Sequence, residues 1–136
     1  TRPDEVEESL NQALIAYQEA IHDPDINPLL LIPCFILDFL CIHPFDDGNG
    51  RMSRLLTLLL LYKSGFDIGK YVSIEKVIND TKGEYYDALY KSSIDWHENK
   101  NDYSYFILYM IRVIYRCYKL LDENVFEMID KKNNSY

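Results

Sequence analysis

The sequence predicts an all-α domain, on three observations. Apolar residues recur at three- and four-residue spacing along most of the chain, the stripe of an amphipathic helix. No stretch alternates apolar and polar residues between turn signals, as a half-buried strand would. Helix-opening residue patterns also recur ahead of the apolar runs. The 136 residues suit one ordinary domain, and 48% hydrophobic with 14% aromatic residues suffices for a core.

Each element follows from its own signals. Asp4 and Glu7 after Pro3 have capping-box spacing, and Leu10, Ala13, Leu14 and Tyr17 then form a helical stripe. His22 to Asn27 is a loop with two Asp and one Pro. Asn27 can cap a second helix with Pro28 at its first position, running to Ile42. Pro33 lies inside it, cannot donate to the Leu29 carbonyl, and is expected to bend it. His43 to Gly50 is the only glycine-dense turn. A helix from about Asn49 to Ser64 follows. Leu55, Leu56 and Leu58 to Leu61 leave it almost no solvent face, which predicts a central buried helix after the loop. Ser64-Gly65 stops it. Ser73 caps a short helix through Asn79. Thr81 and Glu84 repeat the capping-box spacing and open a helix to about Trp96, with Tyr85, Leu89 and Ile94 inward. His97 to Asn101 is a turn. A long helix runs from Asp102 to about Ile129, with Phe106, Met110, Val113, Tyr118 and Leu121 near the required spacing. Lys131 to Tyr136 reads as a polar tail.

Charge and cysteine usage exclude several functions. The 22 acidic against 14 basic residues give a net charge of -8, so a domain-wide basic footprint for nucleic acid is absent. A small basic pocket remains compatible with that charge. Cys34, Cys41 and Cys117 are few and scattered, with no CxxC spacing for zinc or a dithiol. They are expected to be reduced, in a cytoplasmic protein. The longest apolar run, Leu29 to Ile42, falls short of the roughly twenty residues that span a bilayer. No membrane partner is expected.

The informative stretch is His43 to Arg54, HPFDDGNGRMSR. Two glycines flank an asparagine just before a helix, and the first turn of that helix has free N–H groups. Together they make an anion nest. Arg51 and Arg54 are three apart, on one face of the first turn. Cations there oppose the helix dipole, which suggests that an anion is expected. Asp47 is within reach of a divalent ion if that anion is a polyphosphate. His43 is the side chain suited to proton transfer near neutral pH. The plainer alternatives are an Asp47 ion pair with Arg51 or Arg54 and a structural histidine before Pro44. Phe45 reads as an anchor that plugs the loop into the core. His22 and His97 fall in expected loops away from this stretch. A Walker loop is excluded, because GxxxxGK is missing and the turn joins two helices.

With every signature position filled, the stretch resembles the Fic family motif, His-x-Phe-x-(Asp/Glu)-Gly-Asn-Gly-Arg-x-x-Arg. The wider resemblance includes the helix before the motif, the leucine helix after it, the Tyr85-Tyr86-x-Ala-Leu stretch and the Trp96 to Tyr103 join. It is similar to the core of a larger bacterial type. The resemblance implies an all-helical fold and Mg²⁺-dependent transfer of AMP from ATP to a Ser, Thr or Tyr hydroxyl of a target protein, with pyrophosphate released. It makes His43 the general base and Phe45 structural. Asp47 becomes the Mg²⁺ ligand. Gly48, Asn49 and Gly50 form the cradle, with Asn49 on the α phosphate, Arg51 on the β and Arg54 on the γ. Gly50, where Doc-type kinases carry Lys, favours adenylylation over phosphorylation. Transfer of another nucleotidyl group, deadenylylation, and a non-catalytic phosphate-binding module remain alternatives.

The resemblance further implies that residues 1–136 are a single core domain of a larger protein. The family's flap over the target segment is expected upstream of Thr1. Its inhibitory helix, (Ser/Thr)-x-x-x-Glu-(Gly/Asn), has no full match in the chain and is expected upstream in cis or on a separate protein.

Overall fold

The computed structural model of the chain describes residues 3–134. Six α-helices make up the fold: α1 Pro3–Ile21, α2 Pro28–Ile42, α3 Asn49–Lys63, α4 Ile74–Asp80, α5 Lys82–Ser93 and α6 Ser104–Asn134. A single 3₁₀ turn, Ile68–Lys70, joins α3 to α4. No strand occurs among the described residues.

The cap signals give the starts of α2 and α4. Asn27 accepts a hydrogen bond from the Leu29 N–H at 2.9 Å, and Pro28 opens α2. Ser73 likewise accepts from the Lys76 N–H ahead of α4. Two expected capping boxes are corrected. Asp4 lies inside the first turn of α1 with Glu5, where both carboxylates complement the helix dipole. Thr81 precedes α5 but turns its hydroxyl back to the Val77 carbonyl and the Tyr109 hydroxyl. It therefore ties α4 to α6 instead of capping α5. That helix ends at Ser93, short of Trp96, and Ile94 points outward at 47% exposure. The expected polar tail is helical through Asn134, and residues 135–136 lie outside the described residues.

The central helix is α2, which packs against α1, α3, α5 and α6. It buries Ile32, Pro33, Phe35, Ile36, Leu37, Phe39 and Ile42. The helix continues through Pro33, although proline has no N–H to offer the Leu29 carbonyl. Burial on several sides outweighs the one lost bond.

The expectation of a central, fully buried α3 is corrected. α3 buries Asn49, Ser53, Thr57 and Leu61, one residue per turn, while Leu55 and Leu59 are about half exposed. Small side chains explain the choice of face. The Ser53 hydroxyl donates to the Gly50 carbonyl and the Thr57 hydroxyl to the Ser53 carbonyl, both at 2.7 Å. Their polar atoms are satisfied within the helix, so this narrow stripe can lie close on α2.

α6 packs on α2, α4 and α5 through Phe106, Tyr109, Met110, Val113, Ile114 and Cys117. From Asp122 to Asn134 it is exposed. α1 is peripheral. Its Tyr17 ring meets Phe35 at 5.3 Å, but Leu14 faces solvent more than its place in the stripe predicted. All three cysteines are free. No helix among the described residues is long and apolar enough to cross a membrane.

Candidate functional site

The loop from His43 to Gly48 joins the end of α2 to the start of α3. Proline at 44 disfavours a right-handed helical conformation for the residue before it, so α2 ends at His43. His43 takes a left-handed conformation, φ 54°, and its N–H closes the helix on the Phe39 carbonyl. Gly48, φ 81°, precedes α3 in the left-handed region that glycine adopts without a steric penalty. No side chain caps α3, so the donors of its first turn stay open.

Asn49 closes this loop. It is buried, and its Oδ1 accepts the Phe45 N–H at 3.0 Å while its Nδ2 donates to the Phe45 carbonyl at 2.7 Å. These two bonds fix which end of the amide is which, because one needs an acceptor and the other a donor. The remaining Nδ2 hydrogen then faces His43 Nε2 at 3.2 Å. Nε2 must accept it, so the neutral imidazole carries its proton on Nδ1. The basic lone pair is held at a defined place.

A cavity of about 540 Å³ opens beside this loop. His43, Asn49, Gly50 and Arg54 line one side of it, and Leu40, Leu89, Tyr86 and Trp96 supply apolar wall. The Arg54 guanidinium lies over the start of its own helix. A Cβ on Gly50 would meet its Nη1 at 3.2 Å, so the lack of a side chain there makes room for it. Arg54 Nε also donates to Glu75 Oε1 at 2.5 Å, from the first turn of α4. Tyr85 is buried among these groups. Burial pushes its phenol up and the nearby Arg54 pulls it partly back. The Trp96 wall is fixed from behind, because Asp38 of α2 accepts from both Trp96 Nε1 and the Tyr103 hydroxyl.

The structure brings four of the expected site residues into one cavity, namely His43, Asn49, Gly50 and Arg54. Phe45, Asp47, Gly48 and Arg51 are not in its lining. Asp47 is exposed, and its Oδ1 accepts the Gly48 N–H at 2.8 Å. Arg51 is exposed and pairs with no carboxylate among the described residues. No group of three or more His, Cys, Asp or Glu side chains able to hold a metal occurs among the described residues.

Two expectations are corrected. Phe45 does not plug into the core, being 47% exposed with its ring against Phe39 at 6.4 Å. Its backbone, held by Asn49, anchors the loop instead. His97 is not remote from the motif: it lines the same cavity, edge-on to Trp96. Sequence reasoning also missed Glu75 and Asp38. Glu75 carried no signal, lying 21 residues from Arg54 in sequence. Asp38 did carry one, as a lone carboxylate inside the most apolar run of the chain.

The open start of α3, with His43 Nε2 beside it, falls within the part of the chain that matches a known family. Residues 1–61 match the model of the Fic/DOC family. A Fido domain-containing protein of Dictyostelium discoideum is 28% identical over 117 residues, covering 86% of this chain and 77% of that protein. A protein adenylyltransferase of Caenorhabditis elegans is 40% identical over 53 residues, 39% of this chain. A ribonucleoside-diphosphate reductase small chain of Ostreid herpesvirus 1 matches at the same identity and length. These last two matches span 9% of each relative.

Proposed function

We propose that the chain transfers AMP from ATP to a Ser, Thr or Tyr hydroxyl of a target protein. The single observation that carries this reading is His43 Nε2. Its in-plane lone pair faces Asn49 Nδ2 at 3.2 Å, in the cavity that Asn49, Gly50 and Arg54 also line. The target oxygen attacks the α phosphorus, a new P–O bond forms, and the bond to the bridging oxygen of the β phosphate breaks. The target hydroxyl displaces Asn49 Nδ2 from the one Nε2 lone pair, its proton goes to Nε2, and pyrophosphate leaves. Charge builds on the phosphate oxygens during this step. Donors already aimed at them lower the barrier without reorganising.

The residues have distinct roles in this reading. Gly48, Asn49 and Gly50 give the phosphates a backbone approach, and Arg54 takes the outermost charge. Arg51, exposed in the first turn of α3, takes the β phosphate. The apolar wall of Tyr86, Trp96, Leu40 and Leu89 suits a flat base. A Mg²⁺ ion typically takes only one or two carboxylates and fills its remaining positions with phosphate oxygens and water. The exposed carboxylate of Asp47 fits that demand, and the ion would neutralise phosphate charge. The name of the Caenorhabditis elegans relative, a protein adenylyltransferase, supports the transferase class.

The test is to incubate the chain with labelled ATP, GTP, UTP or CTP, Mg²⁺ and candidate protein targets. His43→Ala should lose a factor on the order of 10²–10⁴ in transfer, as for a positioned acid–base residue. Mg²⁺-ATP affinity, measured by calorimetry on the same preparation, should persist. Transfer at the parent rate by His43→Ala would refute the mechanism.

A further inference from the structure

Arg54 is the one side chain of the cavity that is both long and charged, and such a side chain does not hold its place unaided. A free arginine samples many rotamers, and a ligand that needs one of them must select it. In this molecule the selection is already made. Glu75 Oε1 accepts from Nε, the inner nitrogen of the guanidinium, at 2.5 Å. The outer nitrogens are turned back over Gly50, with Nη1 3.2 Å from where a Cβ would sit. Glu75 thus takes one edge of the fork and leaves the outer edge toward the cavity.

Glu75 is itself held. It sits in the first turn of α4, whose cap Ser73 accepts from the Lys76 N–H at 3.1 Å. The next turn is pinned by buried Val77 and Ile78, and Ile74 beside it is buried too. We propose that Glu75 is the positioning residue for Arg54, fixing the guanidinium with its outer nitrogens presented to the terminal phosphate of a nucleoside triphosphate. This rests on the nucleotide reading of the cavity given above.

A carboxylate near an anion site also repels the anion, so the sign of the effect must be decided. The Glu75 side chain is 56% exposed, against 26% for Arg54. Water screens the repulsion between an exposed carboxylate and an anion on the far side of a guanidinium. The Nε–H···Oε1 bond is a direct contact with no room for water between its atoms, so it is screened less than the repulsion across the guanidinium. Positioning therefore outweighs repulsion, and removal of Glu75 weakens binding.

The experiment measures ATP, ADP and AMP affinity by calorimetry with Mg²⁺, on the full chain and on Glu75→Ala, Glu75→Gln, Arg54→Ala and the Arg54→Ala/Glu75→Ala pair. Glu75→Ala should weaken ATP by about 3- to 30-fold, the scale of one arginine's rotamer freedom. AMP affinity should not change. Glu75→Gln, which keeps an acceptor oxygen for Nε, should restore most of the ATP affinity. The double variant should be no weaker than Arg54→Ala alone, because the two act as one unit. The Arg54 Nε–H proton signal in the nucleotide-free chain gives a second readout. It should be protected from exchange in the parent and in Glu75→Gln, and lost in Glu75→Ala.

Tighter ATP binding by Glu75→Ala would overturn the proposal, with Glu75 then acting as a brake. Unchanged ATP affinity, in a chain where Arg54→Ala does weaken it, would also overturn it. A parent chain that binds none of the three nucleotides overturns the nucleotide reading. The Nε–H signal then decides alone whether Glu75 holds Arg54.

Discussion

Asn49 commits both amide hydrogens and one oxygen lone pair within six residues of its own position. It satisfies both polar groups of the Phe45 backbone and orients His43, so it is a clasp as well as part of the cradle. Asn49→Ala strands those groups at a part-buried site. The expected cost is about 1–3 kcal/mol, the penalty for a polar group that loses its partner. Urea unfolding would measure it. Asn49→Asp should be no milder, because a carboxylate keeps the acceptor for the Phe45 N–H but offers no donor to the Phe45 carbonyl. Asn49 was legible in the sequence as a member of a glycine-flanked turn. Its role as a clasp was not, since either glycine-flanked amide end fits the same letter.

At the scale of elements, the join of α5 to α6 rests on Ser92. Its side chain is fully buried, its Oγ accepts the Phe106 N–H at 3.0 Å, and its carbonyl accepts from Asn101 Nδ2. Ser92→Ala leaves the Phe106 N–H without a partner in the core. A loss of about 1–3 kcal/mol is expected, while Ser93→Ala one residue on, at a more exposed site, should stay within about 0.5 kcal/mol. Comparing the two urea midpoints checks the claim. Helix starts were readable because a cap is a local hydrogen bond, as at Asn27 and Ser73. Buried faces were less so. In α3 the leucines outnumber the small residues, yet the small residues set the contact with α2 because they permit a closer approach. The place of His97 depended on Asp38, 58 residues from Trp96, holding the turn that carries it. No local pattern encodes such a tie.

For the molecule as a whole, the buried acids set an alkaline limit. Burial, with a smaller contribution from Asp38, pushes the Cys34 thiol from 9.0 up to about 11 and the Cys41 thiol to about 12. Burial also raises Cys117, Tyr17, Tyr85, Tyr103 and Tyr109. Above pH 9.0 the unfolded chain gives up thiol protons that the folded chain retains. The folded state then binds more protons, so stability falls as pH rises and the contribution is gone once the folded values are passed. The urea midpoint should drop from pH 9.0 through the folded Cys34 value of about 11, and the drop should shrink in a Cys34→Ala/Cys41→Ala variant. Alkali also acts on a covalent bond in the same molecule. In an Asn-Gly pair the following backbone nitrogen attacks the side-chain amide carbon, ammonia leaves, and the ring that forms opens to aspartate or isoaspartate. In Asn49-Gly50 that carbon is clasped on both sides by Phe45. Attack must wait until the clasp lets go. The slow accumulation of isoaspartate at this one position is therefore a clock, and its rate counts how often the loop beside His43 comes open.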